Sequence, residues 1–144
     1  MSTRREQILQ ALSVIAASVP GIAAASLTRE RAGPVAEADC PALDLTPESE
    51  PDPVALGAGI DRHELVVAWR IHTAGNGAYA LADPVIQSLH GLLFADPTLG
   101  GLATGIETGA SDFARDDADQ TIGRTTARYR ITYTTRRSNL AQAY

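Results

Sequence analysis

Residues 89–135 carry the strongest structural signal of this chain and read LHGLLFADPTLGGLATGIETGASDFARDDADQTIGRTTARYRITYTT. The stretch contains the apolar end of a helix, the link Ala95–Leu102 with its Asp-Pro and Gly-Gly pairs, an acidic loop and the strand Ile122–Thr135. In this strand arginines and threonines alternate with an apolar and aromatic set, which is Ala127, Tyr129, Ile131 and Tyr133. The alternation predicts a strand with one face on helices and the other toward solvent or a neighbouring molecule.

The segments before this stretch alternate between helix and strand. A capping box at Thr3-Arg4-Arg5-Glu6 and apolar residues at helical spacing predict a first helix that ends at Pro20-Gly21. The same spacing predicts a second helix within Ala78–Ala95, where Pro84 either begins the regular helix or kinks a longer one. The remaining predicted strands are Ala24–Arg31, Pro41–Leu45, His63–Thr73 and Leu102–Gly109, the last as a hairpin partner of the final strand.

The central strand His63–Thr73 has one apolar face and one mixed face. On the mixed face Val66 and Ala68 lie between charged residues, so helices on the other side of the sheet would leave this face open to a partner subunit. Together these elements predict an α+β fold, a two-layer sandwich. Its sheet has four to five strands, antiparallel for the most part, with the two main helices on one face. The expected organisation is a single domain over residues 1–144, with a flexible acidic loop at 46–61 and a C-terminal tail at 137–144.

The composition is that of an ordinary globular chain. Hydrophobic residues make up 44% of the 144 residues, and no apolar run reaches the roughly 18–20 residues of a membrane helix. The N-terminal segment is an amphipathic helix and not a signal peptide, because Glu6 and Gln7 follow Arg4 and Arg5. The single cysteine, Cys40, excludes an internal disulfide and fits a reducing compartment. We therefore expect synthesis in the cytoplasm.

The charged residues are distributed unevenly. The formal net charge is -5, every basic residue apart from histidine is arginine, and no basic residue of either kind lies between Arg31 and Arg62. Arginine pairs carboxylates bidentately, so an acidic segment and an arginine-bearing strand can form two complementary subunit surfaces. The alternative is a compositional bias with solvated faces. The predicted subunit-interface residues are Arg70, Arg124, Arg128, Arg130, Glu48, Glu50 and Asp52.

No set of residues predicts catalysis, and no cofactor is expected. The chain has no Walker lysine after its glycine pairs and no Gly-x-Ser-x-Gly motif, and its three histidines are scattered. Four aspartates resemble a calcium loop but lack its glycine and its bidentate glutamate. An exposed loop is the favoured interpretation of these metal-ligand candidates, which are Asp112, Asp116, Asp117 and Asp119. No basic helix or aromatic platform predicts sequence-specific binding of nucleic acid.

The chain resembles the tail terminator, or minor tail protein U-like, family of long-tailed bacteriophages and prophages. The resemblance covers residues 4–136 and rests on pattern and length more than on an invariant motif. It is carried by the first helix with Val19-Pro20-Gly21, by the strand at Pro41-Ala42-Leu43, by the Trp69 strand, by the link 96–102 and by the closing strand 128–135.

The resemblance implies a structural virion protein rather than an enzyme. Such a protein forms a ring, usually of six subunits, that caps the tail tube, stops its polymerisation and meets the head-completion proteins. The implied location is the head-proximal end of the tail, with DNA passing through the bore without sequence-specific contacts. If Arg128 or Arg130 pairs with an acid of the next subunit, Arg128→Glu should leave a folded monomer. Two alternatives stay open, namely another tail-completion or neck protein and a small monomeric or dimeric binding module.

Overall fold

The computed structural model describes residues 2–31, 33–116 and 120–141. Two short 3-10 turns, at Ala24–Ser26 and Glu37–Asp39, accompany its main elements. These elements are α1 (Arg4–Ala16), β1 (Leu27–Arg29), β2 (Ala42–Ser49), β3 (Val54–Gly57), β4 (Ile60–Ala74), α2 (Ala78–Ala95), β5 (Gly105–Arg115) and β6 (Ile122–Arg136).

The strands form one open sheet in the order β1-β2-β4-β6-β5, and β3 pairs with the part of β4 that β2 does not reach. β1 runs parallel to β2, and the other pairs are antiparallel. The long strands β4 and β6 pair over their whole length, from Ile60 opposite Arg136 to Ala74 opposite Ile122. The predicted α+β class is confirmed, with six strands where four to five were expected.

Helix α1 begins where the sequence predicts. The Glu6 backbone N–H donates to Thr3 Oγ1 at 3.2 Å, so the threonine caps the helix. The Glu6 carboxylate instead accepts two bonds from the Arg29 guanidinium, at 2.7 and 3.2 Å, and thereby ties the first turn to β1. These bonds lower the pKa of Glu6.

Helix α2 begins after Gly77, whose φ of 71° favours glycine, and Pro84 lies inside the helix rather than in its first turn. The Thr73 hydroxyl donates to the Ala78 carbonyl oxygen and holds the start of the helix against the end of β4. The buried stripe of the helix comprises Ala78, Ala82, Val85, Leu89 and Leu93.

The core lies between the two helices and one face of the sheet. The predicted core face of β4 is confirmed, because Leu65, Trp69 and Ile71 are at most 1% exposed. Tyr129 and Tyr133 of β6 lie on this same buried face. Alternate residues of β4 and β6 therefore face away from the helices, as the period of two requires.

Two predicted loops contain strand. The predicted acidic loop 46–61 contains the end of β2, all of β3 and the start of β4, so its non-strand parts are residues 50–53 and 58–59. Likewise β5 continues to Arg115 through the first half of the loop predicted between the last two strands. In both places an antiparallel partner holds the chain in strand form, β4 for β3 and β6 for β5.

The predicted C-terminal tail returns to the body of the domain in its first part. Arg137 N donates to the Gly59 carbonyl oxygen at 2.7 Å, and Arg4 N donates to the Leu140 carbonyl oxygen at 2.8 Å. Within the described ranges, neither helix is long and apolar enough to cross a membrane.

Candidate interaction surface on the open sheet face

The face of the sheet opposite the helices is called the open face here. It is formed by alternate residues of the strands, and it carries most of the predicted interface residues. Its polar and charged members are Asp44, Thr46, Glu48, Arg62, Glu64, Arg70, His72, Glu107, Asp112, Arg124, Thr126, Arg128, Arg130, Thr132, Thr134 and Arg136. In the middle of this face Ala68 is fully buried, because long side chains of the flanking strands lie across it.

Arg128 connects three strands across the open face. Its Nε lies 2.5 Å from Glu48 Oε1 and its Nη2 lies 3.3 Å from Glu48 Oε2, while its Nη1 donates to the Asp112 carboxylate. The hydrogen bonds with Glu48, and then those with Asp112, raise the pKa of the guanidinium. The acidic segment and the arginine-bearing strand, predicted as two separate surfaces, therefore meet within one chain.

Arg130 also has a partner in its own chain. It lies opposite Glu107 of β5 in the strand register, and its Nη2 donates to that carboxylate. The hydrogen bond raises the pKa of Arg130. Pairing of Arg128 or Arg130 with a neighbouring subunit stays a prediction, and such a contact would compete with these bonds.

The other two predicted arginines lie together at one end of the open face. Arg70 and Arg124 line a cavity of about 330 Å³, together with Arg31 and His72. Asp44 also lines this cavity, and its carboxylate is 2% exposed.

The Asp44 carboxylate accepts its hydrogen bonds from groups other than the arginine side chains. The donors are Thr28 Oγ1 at 3.0 Å, the Arg31 backbone N–H at 2.9 Å and Thr46 Oγ1 at 2.9 Å. Arg70 Nη1 is 3.9 Å from Asp44 Oδ2, which is an ion-pair distance and not a hydrogen bond. The buried carboxylate thus fixes the loop after β1 over the sheet.

Glu50 lies on the helix side of the sheet, away from the open face. Its carboxylate accepts from the Tyr133 hydroxyl at 2.9 and 3.1 Å and from Arg5 Nη1 at 3.4 Å. His63 Nδ1 lies 3.5 Å from the same carboxylate, and the His63 ring stacks on Tyr133 at 4.7 Å. Burial and the charge of Glu50 raise the pKa of Tyr133. The structure therefore gives Glu50 a stabilising contact between α1 and β6, whereas the predicted interface residue Asp52 is exposed.

The outer edge of β5 was not among the predicted interface residues. Residues 107–113 are all exposed, and Phe113 is 62% exposed although its ring meets the Tyr79 ring edge to face at 5.4 Å. β5 is the last strand on its side of the sheet, so its outer backbone groups have no strand partner in the described chain. A strand edge of this kind is a surface for pairing with another chain. The small and polar residues of this segment give little strand signal in the sequence.

The metal-ligand candidates do not come together among the described residues. Asp112 pairs with Arg128, Asp116 follows the end of β5, and Asp117 and Asp119 lie outside the described residues. Within those ranges no group of three or more His, Cys, Asp or Glu side chains is placed to hold a metal ion.

Comparison of the chain with protein-family models and with curated proteins finds no match.

Proposed function

We propose that this chain is a structural subunit of a bacteriophage tail or a tail-derived particle, of the tail terminator type, which assembles as a ring on the end of the tail tube. The resemblance of the sequence to the tail terminator family supports membership of such a particle. The long unpaired edge of β5 beside an uncovered sheet face is the observation that supports assembly.

In a ring, each subunit uses two different surfaces, and one of them contacts the other surface of the neighbour related to it by rotation. The two edges of this sheet differ, because β1 has three residues whereas β5 has eleven. The long edge of β5 offers main-chain groups and the exposed Phe113. The opposite side of the sheet offers the exposed connection at residues 51–53, which contains Asp52.

The charge distribution favours association through the edge of β5 over pairing between an acidic patch of one subunit and a basic patch of the next. Arg128 and Arg130 already meet carboxylates of their own chain, so the centre of the open face is close to neutral. Each exposed ion pair contributes little free energy. Replacing an ion pair within one chain by a pair between two chains therefore changes the free energy of association little. Strand-edge pairing and apolar contact supply more of the association free energy.

The first experiment measures the mass of the free protein by light scattering after size exclusion, over a range of protein concentrations. We expect a discrete species near six times 15.1 kDa, with a ring visible by negative-stain electron microscopy. If the ring closes only on the tail, the protein is monomeric alone and caps tubes made from the tail tube protein of the same source. A protein that stays monomeric at high concentration and leaves tubes uncapped contradicts the proposal.

A pair of variants tests the assigned edge. Ser111→Lys places a lysine on the exposed part of β5, where natural edge strands carry such charges against pairing, and should abolish rings. Gln87→Lys makes the same charge change at an exposed position of α2 and should leave them intact. Equal loss of rings in both variants would show that charge alone acts and would remove the assignment to β5.

A further inference from the structure

Three arginine side chains from distant parts of the chain meet at the end of the open face described above. Arg31 follows β1, Arg70 lies on β4 and Arg124 lies on β6. The β4–β6 register sets Arg124 directly opposite His72, and all four side chains line the cavity of about 330 Å³. We call this place the arginine cavity.

The positive charge of the arginine cavity is not neutralised by hydrogen-bonded carboxylates. Within the described residues, no protein acceptor takes a hydrogen bond from the Arg31, Arg70 or Arg124 guanidinium. The carboxylate that lines the cavity, Asp44, is occupied by hydroxyl and backbone donors. Arg70 is 3.9 Å from Asp44 and 4.0 Å from Glu48. These guanidinium groups contrast with that of Arg128, which donates to two carboxylates on the same face.

His72 gives an independent indication of a ligand. The residue is 7% exposed, and its buried Nδ1 has no hydrogen-bond partner within residues 2–31, 33–116 and 120–141. The buried Nε of Arg31 also has no hydrogen-bond partner in the part of the chain that the structure describes. Buried polar atoms are normally hydrogen bonded, because leaving one unpaired costs about 1–3 kcal/mol. A bound group that accepts hydrogen bonds would remove this cost.

We propose that the arginine cavity binds a phosphate-class oxyanion, either free phosphate or a phosphate ester. Donors converge from three elements of the chain, so they suit an anion with three or four oxygens. A carboxylate has only two oxygens, and a single guanidinium is enough to pair both of them. Among the described residues, the lining has three arginines against one carboxylate, Asp44, which also suits an anion of more than one negative charge.

The protonation of His72 gives a readout inside the cavity. Burial, Arg31 and Arg124 lower its pKa, whereas Asp44 and Asp116 act in the opposite direction. A bound anion favours the protonated imidazole, so binding must raise this pKa. Histidine resonances followed by NMR across pH 4–8, with and without phosphate, measure the change. His63 and His90 serve as internal references, because neither lines the cavity.

The binding test is calorimetric titration of the protein with inorganic phosphate, sulfate and acetate at constant ionic strength. We expect saturable binding of phosphate and sulfate, and binding of acetate at least tenfold weaker. Arg124→Gln should weaken phosphate binding at least about tenfold, because it removes charge-assisted hydrogen bonds. Arg31→Gln is a second variant with the same expected direction, and thermal unfolding verifies that both variants fold.

Arg130→Gln is the matched control. It removes the same charge from the same face of the same strand, but Arg130 lies outside the arginine cavity. Phosphate affinity in this variant should stay within twofold of the original protein. The proposal is overturned if phosphate does not bind saturably, if acetate binds as tightly as phosphate, or if Arg130→Gln weakens binding as much as Arg124→Gln does.

A further titration separates the two sources of phosphate. A short oligodeoxynucleotide that binds more tightly than phosphate, with the same dependence on Arg124, identifies a nucleic-acid backbone as the ligand. Binding of phosphate and of a phosphate monoester without binding of the oligonucleotide identifies a free anion. These measurements need only the folded monomer, so failure of the proposed ring and failure of anion binding are distinguishable.

Discussion

Gly123 controls how closely α2 approaches the sheet. This glycine lies near the start of β6, and a Cβ at its position would be 2.7 Å from the Ala78 Cβ and 3.4 Å from Tyr79 Cε1. The first distance is far below van der Waals contact, and both Ala78 and Gly123 are buried. Gly123→Ala must therefore push the first turn of α2 away from β6. The bond from the Thr73 hydroxyl to the Ala78 carbonyl oxygen opposes that movement.

The expected net effect is a loss of about 1–2 kcal/mol in the free energy of unfolding. Overpacking a buried contact costs about 1–3 kcal/mol. Replacing glycine by alanine also lowers the conformational entropy of the unfolded chain, which offsets about 0.4–1 kcal/mol of this loss. For a chain of this length the net loss corresponds to a melting temperature about 3–6 °C lower. Calorimetry and urea unfolding, with both probes reporting the same transition, measure the difference.

Two further variants make the reasoning refutable. Gly105→Ala places a methyl group in open space on another strand and should be neutral or stabilise by up to about 1 kcal/mol. Adding Ala78→Gly to Gly123→Ala removes the opposing methyl group and should recover at least about 1 kcal/mol relative to additivity. If Gly123→Ala is as stable as Gly105→Ala, or if the double variant shows no coupling, α2 does not approach β6 this closely.

Three other changes have outcomes set by local contacts. Thr3→Ala removes the cap of α1 and should cost about 1 kcal/mol in urea unfolding, whereas a cost near zero would mean that water replaces the hydroxyl. Gly91→Ala, at an exposed position inside α2 with open space around it, should stabilise by about 0.5–1 kcal/mol in the same assay, and any loss contradicts the space assigned there. Glu6→Gln should cost about 0.5 kcal/mol at neutral pH, because its carboxylate pairs with Arg29. Since that pairing lowers the pKa of Glu6, its contribution is complete above the ordinary carboxyl pKa and is lost as the pH falls through the lowered value. A difference between the two proteins that persists at about pH 2 would refute this assignment.

Strand alternation and helix capping predicted those parts of the fold that depend on residues close together in the sequence. Alternation along β4 and β6 gave the correct buried faces, including Trp69, and the Thr3 cap follows from four residues of sequence. The faces can be predicted because the side chains of any strand alternate with a period of two, whatever the strand pairs with. Gly123 lies inside β6 at its close approach to α2, and a glycine within a strand pattern is a sequence signal for such an approach.

The end of β2 and all of β3 lie in the predicted loop 46–61, and both form only through pairing with β4. Proline and acidic residues in that segment resemble a loop, yet Pro47 pairs with Val67 of β4. Proline is tolerated there because β1 pairs only with residues 43–45 of β2 and leaves this part of the strand as an edge. Nothing within the segment itself distinguishes such an edge strand from a loop.

The contacts of the arginines also cannot be predicted from neighbouring residues in the sequence. Arg128 and Glu48 are separated by 80 positions in the sequence and meet because β2 and β6 flank the same strand. The arginine cavity likewise requires the loop after β1 to bring Arg31 over the sheet. Charge counts along the chain identify the arginines, but only the strand order shows which of them are neutralised.

Arg124, Arg128 and Arg130 of β6 face the same way and yet have different electrostatic roles. Arg128 and Arg130 meet carboxylates on the neighbouring strands, so their charges cancel locally and steer an approaching molecule little. Arg124 stands beside Arg31 and Arg70, and Asp44 is the one carboxylate among the described residues that line this cavity, so positive charge is in local excess there. In a chain with a net charge of -5, this local excess of positive charge opposes the overall field. Removing Arg124 should therefore alter recognition of anions, whereas removing Arg130 should alter only the pairing between β5 and β6.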